Sequence, residues 1–381
     1  MTARVLILLV SISIAVLTRP VQAHHSTAVF ALDKKIELRG VVVDFKLRSP
    51  HSSFIVDARV FADGQSRGGG VERWEVEWDA LAGLRTVGIE PTTFKPGDAV
   101  TIKGSPHRDP SFKFMHATVV TAANGNEYSI FTSDRVYSPS IKQAVEASGG
   151  KLALKESPAV AAGAHGIARF VGRWQQPVTL PTGTESVLPL NPAGVAARNS
   201  YDRKLSPANT CEPMTVPDVF MAPFYLFEVK LDGQRVVLHN EAYDVSRTVL
   251  LSGEAAPADP RGQFGIAKGR LEGDTFIVES SGFPASKWGL GAEVQVFGAG
   301  ADVPSSAKKT VTERYTVSED GRTLVLDYTM NDPEYMTKPY SGRVELTRVP
   351  DTTAIYPYEC DPESAAMWSR DAKDKTLRVG K

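Results

Sequence analysis

The second half of this chain is a succession of short apolar stretches, each stopped by a tight turn. Phe224 to Lys230, Arg235 to His239, Arg247 to Leu251, Phe264 to Leu271, Thr275 to Ser280, Thr310 to Val317, Thr323 to Met330 and Arg343 to Val349 all read as strands. Asp232-Gly233, Glu272-Gly273-Asp274 and Glu319-Asp320-Gly321 punctuate them, and the last two join hairpins. Such a pattern rules out a helical bundle. It predicts an antiparallel meander that closes into a lipocalin-like barrel, because closure removes exposed strand edges. Gly172-Arg173-Trp174 leads into its first strand. With 31 Gly and 25 Pro, the composition favours turns and strands over long helices.

The first half carries a second β pattern. Ile36 to Leu47, Ser53 to Phe61 and Val71 to Trp78 are strand-like, and a short helical stretch follows from Asp79 to Val87. Asp79 is its expected N-cap and Gly88 its stop. Ala99 to Lys103 and Phe112 to Thr121 complete the set. Three strands, a helix and two strands give the order of an OB-like barrel. Trp74, Val76 and Trp78 share one face, and Glu75 and Glu77 the other. A chain of 381 residues exceeds one ordinary core. The fold class is therefore all-β in two domains: an OB-like domain over 24–134, a linker over 135–168, a lipocalin-like barrel over 169–365 and a tail over 366–381. A Pro-rich stretch up to Pro223 shows no period and is expected to wrap the barrel.

Residues 1–23 read as a secretory signal peptide. Arg4 gives the positive start, Val5 to Leu17 the apolar run, and Val21-Gln22-Ala23 the cleavage site. Export to a periplasmic or secreted location follows, with no membrane insertion after cleavage, since no other run approaches the ~20 residues a span needs. The formal net charge is −1, and no basic patch appears, so nucleic acid is excluded as a partner. Cys211 and Cys360 are the two cysteines. In an oxidising compartment they are expected to pair, the alternative being two buried thiols.

Cleavage after Ala23 leaves His24-His25-Ser26 at the new terminus. A free α-amino group beside two imidazoles suits a transition metal, copper first and zinc as the alternative. His51, in the loop between the first two strands, and His116, inside the fifth, are candidates to complete the site. The bland alternative is a solvated terminus with His51 capping a turn. Met115 is discounted as a further ligand, because neighbours in a strand point to opposite faces. His107 precedes the fifth strand, His165 falls in the linker, and His239 ends a strand and reads as structural.

Acids in the second domain support a different class of function. Glu279, Glu313, Arg314 and Asp332 lie on or beside strands. An inward carboxylate in an apolar barrel could work as a general acid or base. This describes an exported, cofactor-independent enzyme acting on a hydrophobic or aromatic small molecule. The bland alternative is a solvated barrel exterior. No nucleophile elbow, phosphate loop or dinucleotide fingerprint occurs, so no nucleotide cofactor is expected. The leading expectation is an exported binding protein, with a metal in the first domain and a small hydrophobic or aromatic ligand in the second. A purely structural or interaction module is the third reading.

Two resemblances accompany these patterns. His24-His25-Ser26, Phe30, Gly40-Val41-Val42, Ser49-Pro50-His51, Trp74, Pro96-Gly97-Asp98 and Gly104 resemble a family of exported bacterial proteins of unknown function. Gly172-Arg173-Trp174, Cys211-Glu212-Pro213, Leu271-Glu272-Gly273-Asp274-Thr275, Ser281-Gly282-Phe283, Val311-Thr312-Glu313-Arg314-Tyr315, Asn331-Asp332-Pro333 and Tyr358-Glu359-Cys360 resemble a second uncharacterised exported module. That module tends to carry histidines before its Gly-Asp hairpin and before Val-Thr-Glu-Arg, and this chain lacks them. Neither resemblance implies a reaction.

Overall fold

A computed structural model describes residues 30–49, 51–131, 137–152, 165–179, 188–202, 205, 207–221, 224–252, 263–291 and 302–360. The expected signal peptide, His24, His25 and the tail over 366–381 lie outside the described residues.

The first sheet contains β1 (Ile36–Lys46), β2 (Ser53–Ala62), β3 (Gln65–Ser66), β4 (Glu72–Glu77), β5 (Ala99–Pro106), β6 (Phe114–Ala122) and β7 (Glu127–Tyr128). Its order is β1-β5-β6-β4-β2, and β1 also pairs with β2, so five strands close a barrel. The β4–β6 pair is parallel and the other wall pairs are antiparallel. This is the OB-like arrangement, with β3 and β7 as short additions. Trp74, Val76 and Trp78 enter its core as the alternation requires.

Helix α1 (Leu81–Thr86) follows β4. Its N-cap is Ala80, not Asp79, and no side chain caps it. The backbone carbonyl of Asp79 instead accepts from Ser52 N–H, which ties that residue to the start of β2. Helix α2 (Pro139–Ala147) starts at Ser138, whose hydroxyl accepts from Ile141 N–H. Its Ile141 and Val145 are buried in the first core. Part of the stretch read as linker is therefore packed on the first barrel.

β8 (Lys151–Leu152) pairs with β10 (Val178–Thr179), and β9 (Gly172–Gln175) lies between them in the chain. Helix α3 (Pro192–Asn199) precedes β11 (Leu226–Asp232), β12 (Arg235–Asn240), β13 (Val245–Leu250), β14 (Ile266–Glu272), β15 (Thr275–Ser281), β16 (Thr310–Val317), β17 (Thr323–Asn331) and β18 (Tyr340–Val349). Together with β9 these form a nine-stranded sheet in the order β13-β12-β11-β9-β18-β17-β16-β15-β14. Each neighbour pair is antiparallel, including first strand β9 with last strand β18. An odd number of alternating strands cannot close by antiparallel pairing alone. β13 and β14 therefore run the same way, share no ladder, and meet where Val249 packs on Gly269. The result is a nearly closed nine-stranded antiparallel barrel, the meander that the sequence predicts.

Phe170, Trp174, Phe227, Phe276 and Tyr315 fill its interior, with Phe276 and Tyr315 stacked at 5.7 Å. From the Pro-rich stretch, Leu188, Val216 and Val219 are buried in this core. They plug the barrel where the sequence suggested an outer wrap.

The two barrels are docked. Arg85 on α1 donates to Glu241 at 2.6 Å, with side-chain exposures of 9% and 2%. Glu241 also accepts from the backbone N–H of Tyr356 and of Leu226. Cys211 and Cys360 form a disulfide, as expected. It fixes a segment that reaches back to the first barrel. There Tyr358 bridges Ser49, and Glu359 lies 3.6 Å from Arg48. Tyr225 is hydrogen-bonded with Ser49 and Tyr358, and burial pushes its phenol up to about 12.

Candidate functional site

Among the described residues buried polar side chains converge in several places, and two of these gather candidate site residues around a shared partner. The first is on the outer wall of the first barrel. Glu77 ends β4 and lies directly beside His116 of parallel β6, so the two share a face. Alternation turns both away from the core, yet their side chains are only 5% and 12% exposed. The covers are the His51 loop and the segment that begins at Phe30. His51 is 11% exposed, with Nδ1 3.7 Å from Glu77 Oε1; His116 Nδ1 lies 3.8 Å from the same oxygen. Phe30 is fully buried, and its ring packs 5.7 Å from His116 and 4.9 Å from Phe114.

Gly104 sets the position of His116. A Cβ there would sit 2.0 Å from the carbonyl oxygen of His116, so only glycine lets β5 approach at this bulge. Met115 points into the core beside the site, as its alternation implied.

His51 and His116 do converge. In the structure β1 pairs with β2 and β5, while β6 pairs with β4. The two histidines meet over Glu77 at the end of β4. In the sequence Glu77 reads only as one of two outward strand carboxylates, a type that is usually solvated. Among the described residues no three His, Cys, Asp or Glu side chains form a complete metal-holding group.

The second place is inside the larger barrel. Arg247 of β13 reaches Glu313 of β16 with two hydrogen bonds of 2.7 and 3.0 Å. Tyr315 donates to Glu313 at 2.7 Å, and Arg247 also donates to Ser280 at 3.1 Å. Glu313 is fully buried and Arg247 is 4% exposed. Burial lowers the Arg247 pKa, but Glu313 and Tyr315, through charge and hydrogen bonds together, outweigh it and hold the guanidinium above its usual value. Burial, and then Glu313, pushes the Tyr315 phenol well up, so it stays protonated and donates.

The other acidic candidates do not join this group. Glu279 points outward to Arg270 at 2.9 Å, with its side chain 50% exposed. Arg314 is equally exposed and faces Glu272 at 3.9 Å. Each neighbours an inward residue, and strand alternation sends it to the other face. Asp332 is buried but accepts from Ser306 N–H, the Ser306 hydroxyl and Glu334 N–H, which fastens a loop. The arginine that serves Glu313 is Arg247. Its inward position was legible in the spacing Val245, Arg247, Val249. His239 lies at the rim, 3.0 Å from Ser246, and burial lowers its pKa.

Residues 11–115 match a family of unknown function (DUF6152). That match takes in His24, His25, His51 and Glu77. A search of curated proteins gives no match. Among solved structures, apo lipid binding protein 8 of Caenorhabditis elegans covers 48% of this chain and 98% of its own length. It is 11% identical with a TM-score of 0.25, a loose overlap from which nothing about its ligand passes to this chain.

Proposed function

We propose that the protein is exported and binds a transition metal, copper first and zinc second, on the outer wall of its first barrel. Its second barrel would take a small apolar or aromatic molecule. The observation that carries the metal reading is the convergence of the His51 and His116 Nδ1 edges on one buried carboxylate oxygen. A carboxylate on the Nδ1 side orients an imidazole and leaves Nε2 for a metal. The further donors would be the amino group and ring of His24, together with His25. Phe30 anchors the chain beside His116, and His24 precedes it by six residues. An extended chain covers about 3.3–3.6 Å per residue, so its reach of roughly 20 Å spans the site. An amine with several imidazoles suits Cu(II). The Cys211–Cys360 bridge supports an oxidising compartment.

The enzyme reading finds no such support. Its proposed set divides between the two faces of the wall, and both Glu313 oxygens are engaged by Arg247.

Electron paramagnetic resonance of the Cu(II)-loaded mature protein tests the metal reading. It should show nitrogen couplings that diminish in His51→Ala and in His116→Ala. A double variant with an unchanged spectrum would remove both rings from the site.

A further inference from the structure

Apart from the two sites already proposed, we propose a third: a groove on the outer wall of the first barrel that binds a small amphiphile with one anionic head. The groove has a volume of about 380 Å³ and runs from the start of β1 to the turn after β2 and across to β6. Its floor follows from register. Phe61 of β2, Glu37 of β1, Lys103 of β5 and Val119 of β6 are successive neighbours. Leu38, Ile102 and Val120 beside them enter the core, so this row faces outward. A bulge widens it. Lys103 is opposite Val119 and Gly104 opposite Ala117, which leaves Thr118 as the extra residue. The Thr118 hydroxyl donates to the Lys103 carbonyl at 3.1 Å and fixes the bulge. Ile36, Phe61, Ala62 and Val119 supply the apolar lining.

Charge decides which molecules fit. Two acids and two lysines line the groove: Glu37, Asp63, Lys35 and Lys103. Each acid already has an arginine. Arg39 is bonded to Glu37, and its guanidinium also lies 4.3 Å above the Phe61 ring. Asp63 faces Arg67 at 3.6 Å, with its side chain 94% exposed. The lysines therefore set the net charge, which is positive. Lys103 is half-exposed and stands 4.0 Å from Glu37. Lys35 donates to Ser105 Oγ at 2.8 Å, which holds its ammonium at the edge of the groove. Arg59 adds to the field from directly opposite Arg39 in the next row. Like charges so placed repel, and an anion nearby relieves them.

Lysine stems can lie along an apolar floor while their ammonium groups stay at the rim. A molecule with an apolar body and a negative head uses both features. A bare anion leaves the floor wet, and a neutral apolar molecule leaves the lysines unused. Ser105 is fully buried and pairs with His116, so Lys35 links the groove to the histidine cluster. One side-chain repeat, about 7 Å, separates the two along β5 and β6. The groove needs no metal, so the two sites stand or fail separately.

Calorimetry of the metal-free, full-length mature protein with three probes separates head from body. Decanoate should bind at least ten-fold more tightly than decyltrimethylammonium. Acetate, the same head without the chain, should give no measurable binding. Lys103→Glu should erase the preference for decanoate. Val119→Asp, which puts a carboxylate on the floor, should weaken decanoate at least ten-fold. Melting curves by circular dichroism check that each variant is folded. Lys103 is half-exposed, so its variant still decides the matter if Val119→Asp does not fold. Equal affinity for the two decyl probes in the wild type, or an unchanged preference in Lys103→Glu, would overturn the charge rule. Acetate binding as tight as decanoate would overturn the role of the apolar floor. Undiminished decanoate binding to folded Val119→Asp would put the ligand elsewhere, the second barrel included, and overturn the location. Failure of decanoate to bind the wild type would overturn the site itself, whatever the histidine cluster and the second barrel bind.

Discussion

Lys309 shows how one residue can tie distant parts of the second barrel together. It is fully buried and donates to Thr215 Oγ1, to the carbonyl of Val216 and to that of Gly289, over the ring of Phe283. Every ammonium proton has an acceptor, so the group is structural. Burial still lowers its pKa from 10.5 to about 8, against the opposing pull of Asp218, Asp332 and Glu313. The unfolded chain therefore binds the proton more tightly. Between about pH 8 and 10.5 the unfolded state holds more protons, so this residue makes stability rise with pH. Buried tyrosines act in the opposite sense at higher pH and cancel in a comparison with Lys309→Met. Urea unfolding of both proteins should show the wild type gaining on the variant across that window by up to about 3 kcal/mol. Parallel curves would show that the ammonium is not desolvated. Nothing in the sequence marked Lys309 for burial. Glu77 and Arg247 differ from it, because their faces follow from strand alternation and only their partners were hidden.

At the scale of elements, the hairpins were legible because Gly-Asp and Asp-Gly turns fix register locally. Gly273 and Gly233 both take positive φ at the expected places. β9 was readable only as an entry motif, being four residues long. The pairing of β4 with β6, which creates the histidine site, is parallel and joins strands far apart in sequence, so no local signal announces it. The disulfide was legible from compartment and count. What it fastens was not: the segment ending at Cys360 lies against Arg48 and Ser49, next to the His51 loop. Cys360→Ser should therefore act twice. Opening a loop of 149 residues removes about 4–5 kcal/mol in the chain-entropy account. It should also loosen the loop that carries His51 and weaken copper binding several-fold in protein that is still folded. Thermal melting and a metal titration read the two effects separately. Unaltered copper affinity in the folded variant would show that the second barrel does not position His51.

At the scale of the whole molecule, two barrels are held in a fixed relation by Arg85 with Glu241 and by the Tyr225, Tyr358 and Ser49 contacts. A truncated buried pair is costly where a whole one is near neutral, so the docking is specific more than strong. The fold class could be read from periodicity, while the docking could not, since it depends on single residues in loops. On the proposed reading, export itself would build the metal site, by exposing an amino group at His24 that reaches the two rings over Glu77. Calorimetric titration of Cu(II) into protein beginning at His24, and into protein carrying one additional Met before it, tests this most directly. Affinity should be at least ten-fold lower for the extended form, because the added residue moves the amine away from the His24 imidazole. Equal affinities would contradict amine ligation and leave His51, His116 and Glu77 as a structural cluster under the Phe30 segment.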